Sequence, residues 1–284
     1  MTALFSQESI IHGVPRYVKK LRALGYNAGV MRIIILGSGT SHGVPMIGCT
    51  CPVCQSSNPR NKRTRPSIAV QNGPETILVD TTPELRLQAI ANGLTRVDAV
   101  LYTHTHADHV FGLDEIRRFN DLMGREVPVY GDEQTLDDLR RIYRYIFIPT
   151  QEGGGKPRIS LNLVPPEFTL CGIRVRSFYV LHGELPILAY RFNNAAYVTD
   201  VSRIPGPAME HLQKLELLVL DAVRFEPHPT HFGLYQALEV VEQLKPRRTL
   251  LTHLSHHFEH DEVNAQLPPG VELAYDGQIV DLET

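Results

Sequence analysis

Residues 103 to 110 read THTHADHV, so that His104, His106, Asp108 and His109 crowd together directly after the apolar run VDAVLY. Imidazoles this close repel one another when protonated and gain little from burial when neutral, which makes a shared cation the simplest reason for the spacing. In an extended segment, positions two apart face the same way. His104 and His106 can therefore meet one ion, while Asp108 and His109 on the following turn reach a second.

A second group of ligand-type residues lies upstream. GCTCPVC supplies Cys49, Cys51 and Cys54, too closely spaced for ordinary disulfides and suited to three thiolates around one structural zinc. The fourth ligand is expected from THLSHHFEH, with His256 first and His257 and His260 as rivals. His256 would tie the cysteine loop to the segment carrying His253. Cys171 stands alone and reads as a small core residue.

The elements that must position these groups are short apolar runs with polar ends. RIIILG, ETILVD, AVLYTH, VPVYGD, IRVRSFYVLH, AAYVTD, LELLVLDA and RTLLTH read as strands. TPELRLQAIANG, GLDEIRRFNDLMG, EQTLDDLRRIYRYIF, PAMEHLQKL and GLYQALEVVEQLKP carry helical spacing with glycine or proline stops. Helices mixed with strands throughout indicate a layered α/β domain over residues 31–284. Several strands finish on a metal-capable residue: His104, His182, Asp200 and His253. Such ends converge on one rim of a sheet, which makes that rim the candidate active site. Asp80 and Asp221 also end strands and read as groups that orient ligand histidines or loop amides. Residues 1–30 differ in character and are expected to be an appendage: disordered, a loose helix, or the product of a start assigned too early.

H-x-H-x-D-H, followed downstream by single His, Asp and His residues, resembles the metallo-β-lactamase fold hydrolases over nearly all of residues 31–284. The resemblance implies an αββα sandwich with two divalent metals, zinc or manganese, at one edge of its sheets. It implies that His104, His106 and His182 hold one metal, that Asp108, His109 and His253 hold the other, and that Asp200 bridges them. Redox diiron relatives place a carboxylate where this chain has His106, so hydrolysis is favoured over electron transfer. GSGTSHGVP with GCTCPVC and THLSH is similar to the phosphoribosyl cyclic phosphate phosphodiesterase subgroup, whose members carry an additional zinc in a three-cysteine, one-histidine site. A hydroxide shared by two cations is then the expected nucleophile. His231 in RFEPHPTHFGLYQAL matches a histidine that such relatives use to protonate the departing alkoxide, with His228 as its rival. His231 and Asp108 are thus the candidate catalytic groups. His231 precedes an expected helix whose dipole disfavours the imidazolium, so a carboxylate such as Glu226 or the substrate phosphate would have to offset it.

The expected activity is hydrolysis of a small, cyclic phosphodiester. A transfer RNA 3′-end nuclease and a carboxylic ester, thioester or lactone hydrolase are the alternatives, and an inactive zinc-stabilised binding module would lack ligands that this chain keeps. The 284 residues carry a formal net charge of -3 and a pI near 6.5, which argues against stable nucleic-acid binding. Arg60, Lys62, Arg63 and Arg65 form a local basic stretch, read as a solvated loop or, more sharply, as a phosphate-capture loop. PTQEGGGKPR looks like an active-site lid rather than an RNA-holding arm. No apolar run reaches the length of a membrane span, so no membrane partner and a cytoplasmic location are expected. A homodimer is expected by analogy alone.

Overall fold

The computed structural model describes residues 29–149 and 155–283. The N-terminal appendage expected over residues 1–30 lies outside the described residues except for Gly29 and Val30, the latter being the first residue of a strand, and the expected lid lies partly outside them, at 150–154. Two seven-stranded sheets stack face to face. The first contains β1 (Val30–Gly37), β2 (Ser67–Asn72), β3 (Glu75–Val79), β4 (Ala99–Leu101), β5 (Val127–Gly131), β6 (Ile159–Leu163) and, at the chain's end, β14 (Ile279–Glu283), in the order β14-β1-β2-β3-β4-β5-β6. The second contains β7 (Glu167–Leu170), β8 (Ile173–His182), β9 (Leu185–Phe192), β10 (Ala195–Val198), β11 (Leu217–Asp221), β12 (Arg248–Thr252) and β13 (Val271–Leu273), in the order β13-β12-β11-β10-β9-β8-β7.

The near-continuous apolar runs follow from burial on both faces. Along β1, Met31, Ile33 and Ile35 point between the sheets, meeting Val175, Tyr190 and Val219, while Ile34 and Leu36 point outward to a helical layer. That layer contains helices Leu85–Ala91, Ile116–Met123 and Glu133–Ile142, which contribute Leu85, Ile116, Phe119 and Leu139. On the far side, helices Gly206–His211 and Leu234–Leu244 cover the second sheet through Ala208, Leu234, Ala237 and Leu244. The result is the αββα sandwich that the sequence led us to expect.

The sequence reading and the structure differ in places. The run EQTLDDLRRIYRYIF is not one helix: Tyr143, at φ −105° and ψ 37°, interrupts it, and Arg144–Phe147 forms a separate turn. SIAVQN, LPILAYRF and the short strands β6, β7, β13 and β14 were not singled out. Cys171 is half-buried at the edge of the inter-sheet core rather than within it. It sits with Gly172 in the β7–β8 hairpin turn, both at positive φ, and burial of its thiol pushes the pKa up to about 12.

All strands that finish on site residues run in one direction. β3 is parallel to β4, and β10, β11 and β12 are mutually parallel. β8 is antiparallel to β9, which is antiparallel to β10, so β8 ends on the same rim. At this rim the sheets are bonded to each other: Tyr190 Oη donates to the Tyr102 carbonyl at 2.6 Å and Leu188 N to the Thr103 carbonyl at 3.0 Å.

The chain after β4 is pinned to the end of β3. Thr81 N donates to the His109 carbonyl at 2.7 Å, and Gly112 N to the Thr81 carbonyl at 2.9 Å. A Cβ on Gly112 would lie 1.9 Å from the Thr82 carbonyl oxygen, so backbone itself would have to shift. Gly112→Ala is expected to cost about 1–3 kcal/mol of stability, and an unchanged urea midpoint would reject this close approach as the reason for the glycine.

Candidate metal centre

Turn geometry at the strand ends aims the polar groups inward. Asp80 follows β3, Asp200 follows β10 by two residues and His253 follows β12; all three hold positive φ, at 64°, 56° and 59°. This left-handed backbone costs a non-glycine residue of order 1–2 kcal/mol, least for Asp, Asn and His. His104 lies beyond β4, and His106 precedes the one-turn helix Ala107–Val110, which carries Asp108 and His109.

The structure brings these residues into two adjoining clusters. The potential ligand atoms of His104, His106 and His182 lie within 4.8 Å of one another, as do those of Asp108, His109, Asp200 and His253. His104 Nε2 and His106 Nδ1 are 2.9 Å apart. Asp200 lies between the clusters: Oδ1 is 3.3 Å from His109 Nε2, and Oδ2 is 3.3 Å from His253 Nε2 and 4.0 Å from His104 Nε2. Nitrogens and oxygens that share one tetrahedral ion at about 2.0–2.1 Å lie roughly 3.3 Å from one another. The spacings fit two neighbouring cations.

The outward nitrogens of His109 and His182 are occupied, which fixes which of their nitrogens faces inward; His253 Nδ1 makes no hydrogen bond and lies 3.7 Å from Asp221 Oδ1. His109 Nδ1 donates to Asp80 Oδ2 at 2.8 Å, and His182 Nδ1 to the Thr230 carbonyl at 2.7 Å. Thr103 Oγ1 donates to Asp80 Oδ2 at 2.9 Å and faces His104 Nδ1 at 3.0 Å. His109 Nε2 and His253 Nε2 are buried without a hydrogen-bond partner. A buried imidazole nitrogen left bare in this way is what a metal ligand requires and is otherwise costly.

Electrostatics point the same way. Burial works to lower His253, but the carboxylates of Asp200 and Asp108 outweigh it and pull the imidazole up to about 9. His109 likewise rises well above its ordinary value. Burial would raise Asp200 and Asp108; the neighbouring histidines overcome it and hold both well below the usual carboxylate range. The two carboxylates and the two imidazoles thus balance one another electrostatically in the space where a dication would offset the same carboxylates. In the other cluster, burial holds His104 and His182 down, as unprotonated ligands require.

His231 and Asp221 complete the rim. His231 Nδ1 donates to Asp221 Oδ2 at 2.9 Å, and its ring stands 4.6 Å from that of His253 and 4.7 Å from that of His182. Asp221 Oδ2 also accepts from Val201 N at 3.0 Å, and its Oδ1 lies 3.7 Å from His253 Nδ1. The carboxylate facing His231 is therefore Asp221, not Glu226. His228 is 5.1 Å from His231, ring to ring, and its Nδ1 accepts from Thr230 N at 3.3 Å. Sequence reasoning missed Thr103 and Thr230, because a carbonyl or hydroxyl that orients a ligand has no residue-type signature.

The cysteines form a separate group. The sulfurs of Cys49, Cys51 and Cys54 lie 3.2, 3.5 and 3.7 Å from His256 Nδ1. Roughly 3.6 Å is expected for sulfur and nitrogen on one tetrahedral zinc. His257 and His260 stand apart from the four. The basic stretch is solvated only in part: Arg60 and Lys62 are exposed, whereas Arg63 is buried. Arg63 is 2% exposed and donates to the Ser255 carbonyl at 3.0 Å and the Phe258 carbonyl at 2.8 Å, bracing the segment on which His253 and His256 ride. Lys62 donates to the Cys54 carbonyl, Arg65 binds Glu84, and Arg60 lies over the Tyr275 ring.

A rim of imidazoles and carboxylates at the edge of an αββα sandwich defines the metallo-β-lactamase fold class of hydrolases. Residues 75–254 match the model of the beta-lactamase superfamily domain, and the chain belongs to that family. A crystal structure of a new diphosphatase from the PhnP family is 42% identical, covers 89% of this chain and 97% of its own, and superposes with a TM-score of 0.84. The octanoyltransferase of Porphyromonas gingivalis is 38% identical over 252 residues, 87% of this chain; the match spans 51% of that protein, about half its length. The short form of human tRNase Z shares the fold at 18% identity, covering 88% of this chain and 98% of its own, with a TM-score of 0.63. Among the described residues, no helix is long and apolar enough to cross a membrane.

The cysteine group also carries a pH signature. Cys51 caps the helix Pro52–Gln55 and accepts from Cys54 N, which with its neighbouring thiols and His256 lowers it to about 6; burial pushes Cys54 up to about 11. A thiol whose pKa is lowered is thiolate above that value and loses reactivity as pH falls through it. With chelator present, iodoacetamide at pH 7.5 is expected to label Cys51 before Cys54 and Cys171, and the Cys51 rate to fall below about pH 6. Peptide mapping that found Cys54 labelled first would overturn this ordering.

Proposed function

We propose that the protein is a dinuclear metal-dependent hydrolase of a small phosphodiester. Held in the two clusters, zinc or manganese would supply Lewis acidity, activation of water at neutral pH and neutralisation of the phosphoryl charge. His104, His106 and His182 would hold one ion and Asp108, His109 and His253 the other, with Asp200 shared. The third ion, a zinc, would be structural, held by Cys49, Cys51, Cys54 and His256.

The observation that carries the reading is the placement of His231. Its Nδ1 is taken by Asp221, which fixes the orientation of the ring, and its ring stands against ligand rings from both clusters. A phosphodiester with an alkoxide leaving group needs a proton donor there, since an alkoxide departs unprotonated only at great cost. Hydrolysis of a carboxylic ester makes less use of such a group. The 42% identical diphosphatase favours a second reading, cleavage of a P–O–P linkage, by the same ligands with a less basic leaving group. The transfer RNA nuclease reading rests on fold alone.

The test is hydrolysis of bis(p-nitrophenyl) phosphate by metal-free protein reloaded with zinc or manganese, beside a p-nitrophenyl acetate control. Metal-dependent diester cleavage that is lost in His182→Ala is expected; turnover of acetate alone would refute the phosphorus assignment. His231→Ala should cost about 10²–10⁴-fold on an alkyl diester and far less on the p-nitrophenyl ester, whose leaving group needs no proton. Metal analysis should return three ions per chain in the wild type and two in Cys54→Ser.

A further inference from the structure

Three of the rim histidines take their orientation from a group that is not itself a candidate ligand. Thr103 Oγ1 faces His104 Nδ1 at 3.0 Å, Asp80 holds His109 Nδ1 at 2.8 Å, and the Thr230 carbonyl holds His182 Nδ1 at 2.7 Å. His106 is different. Its Nδ1 lies 2.9 Å from His104 Nε2, and among the described residues no hydroxyl, carboxylate or carbonyl bonds to its ring. It is exposed, and the rings beside it, those of His104 and His182 at 4.5 and 5.1 Å, belong to the residues with which it has to share an ion. Whatever aims His106 must therefore act through its backbone.

That backbone is held from the helical layer. His106 is extended, at φ −61° and ψ 152°, and alternate side chains of an extended stretch face opposite ways. Thr105 accordingly turns its hydroxyl away from the imidazoles and towards helix Glu133–Ile142, where Oγ1 donates to Asp138 Oδ2 at 3.1 Å. Gln134 Nε2 donates to the same oxygen at 3.1 Å, so the carboxylate is itself fixed. The helix leads into Tyr143, whose Oη donates to the Val110 carbonyl at 2.7 Å, which grips the ligand turn at its other end. At the start of the helix, Asp132 accepts from Thr135 N at 2.8 Å and from Tyr179 Oη at 3.4 Å, on β8 three residues before His182. One helix is thus bonded to both segments that bring His104, His106 and His182 together. Asp138 does little for the helix itself. Aspartate is a poor residue for a helix interior, and its ion pair with Arg141 spans 3.5 Å to a side chain that is 75% exposed, a contact worth little in water. The bond to Thr105 accounts for its presence.

We propose that Asp138 is a positioning residue for the three-histidine cluster: through Thr105 it fixes the backbone that aims His106, and so does for that side chain what Asp80 and the Thr230 carbonyl do directly for His109 and His182. This rests on the reading of His104, His106 and His182 as the ligands of one ion. The role is selective. Affinity at the three histidines depends on Asp138, whereas affinity at Asp108, His109 and His253, anchored by Asp80, and at the cysteine group does not.

The experiment is zinc uptake by metal-free full-length protein, titrated against a chromophoric chelator, with cobalt substitution beside it. The cobalt–thiolate charge-transfer band reports the cysteine group and the ligand-field bands report the rim. Asp138→Ala and Thr105→Val are each expected to weaken one rim ion by about tenfold, the low end of what removing a group that orients a metal ligand costs. The ligand-field bands should change as they do in His106→Ala, while the thiolate band stays as in the wild type. Asp138→Asn keeps an oxygen acceptor for Thr105 and should restore most of the affinity, and the double variant Asp138→Ala/Thr105→Val should be no weaker than either single one, since both break the same bond. Unchanged rim affinity in both single variants would overturn the proposal, as would a weakening of all the ions together, which a general loss of folding produces. An Asp138→Asn variant as weak as Asp138→Ala would assign the effect to charge rather than to aim, and would overturn it equally. Wild-type protein that binds zinc at the cysteines alone would instead refute the reading of the rim as a metal site, and with it the role of Asp138.

Discussion

A carboxylate with no exposure to water, Asp80, is the point on which the ligand rim depends. Burial pushes its pKa up, and the surroundings answer with three bonds: Thr103 N at 2.8 Å, Thr103 Oγ1 at 2.9 Å and His109 Nδ1 at 2.8 Å. An unpaired charge at such depth costs several kcal/mol, so these partners cannot move away independently. One side chain thereby fixes the end of β3 to the end of β4, sets the turn that carries His104 to His109, and chooses the nitrogen that His109 turns inward. Asp221 repeats the device in the second sheet, where it joins the end of β11 to Val201 beside Asp200, to His231 and to the edge of His253.

The two sheets supply different members of one constellation. β4 and the turn after it bring His104, His106, Asp108 and His109, whereas β8, β10 and β12 bring His182, Asp200 and His253. Neither the cluster of His104, His106 and His182 nor that of Asp108, His109, Asp200 and His253 is complete within a single sheet. The ligand geometry therefore depends on the inter-sheet core of Met31, Ile33, Val79, Tyr190 and Val219, and on the Tyr190 to Tyr102 bond that crosses the gap beside the rim. Any cation held there links the sheets in turn, which couples metal affinity to folding.

Much of this was legible because it is local. A strand one to three residues before a histidine or aspartate shows itself as an apolar run with a polar end, and ETILVD, AVLYTH, AAYVTD and RTLLTH mark the rim in this way. C-x-C-x-x-C could be read in the same way, since its thiols lie within one turn. What escaped was long-range. Arg63 looked like part of a solvated basic loop because its carbonyl partners, Ser255 and Phe258, are almost two hundred positions away. Asp276 had no mark in AYDG, yet it accepts from the amides and hydroxyls of both Ser38 and Thr64 and clamps the loops after β1 and before β2. The edge strands β6, β7, β13 and β14 carry mixed patterns because one face or one side lacks a neighbour.

These long-range clamps explain why the cysteine group lies where it does. The loop after β1 holds no regular strand between Gly37 and Ser67, and a loop of this length does not keep a fixed shape without internal ties. Asp276 fixes both of its ends, Arg63 ties it to the chain after β12, and the thiols of Cys49, Cys51 and Cys54 meet His256 only three residues from His253. The chain after β12 is thereby held from both sides: Asp221 approaches His253 from within the sheet, and the cysteine loop braces His256 from without. A loop needed only to cover the sheet could have been short. Its length is accounted for if it has to reach across the rim, hold the left-handed turn at His253 and leave a cavity between the rim and the cysteine group.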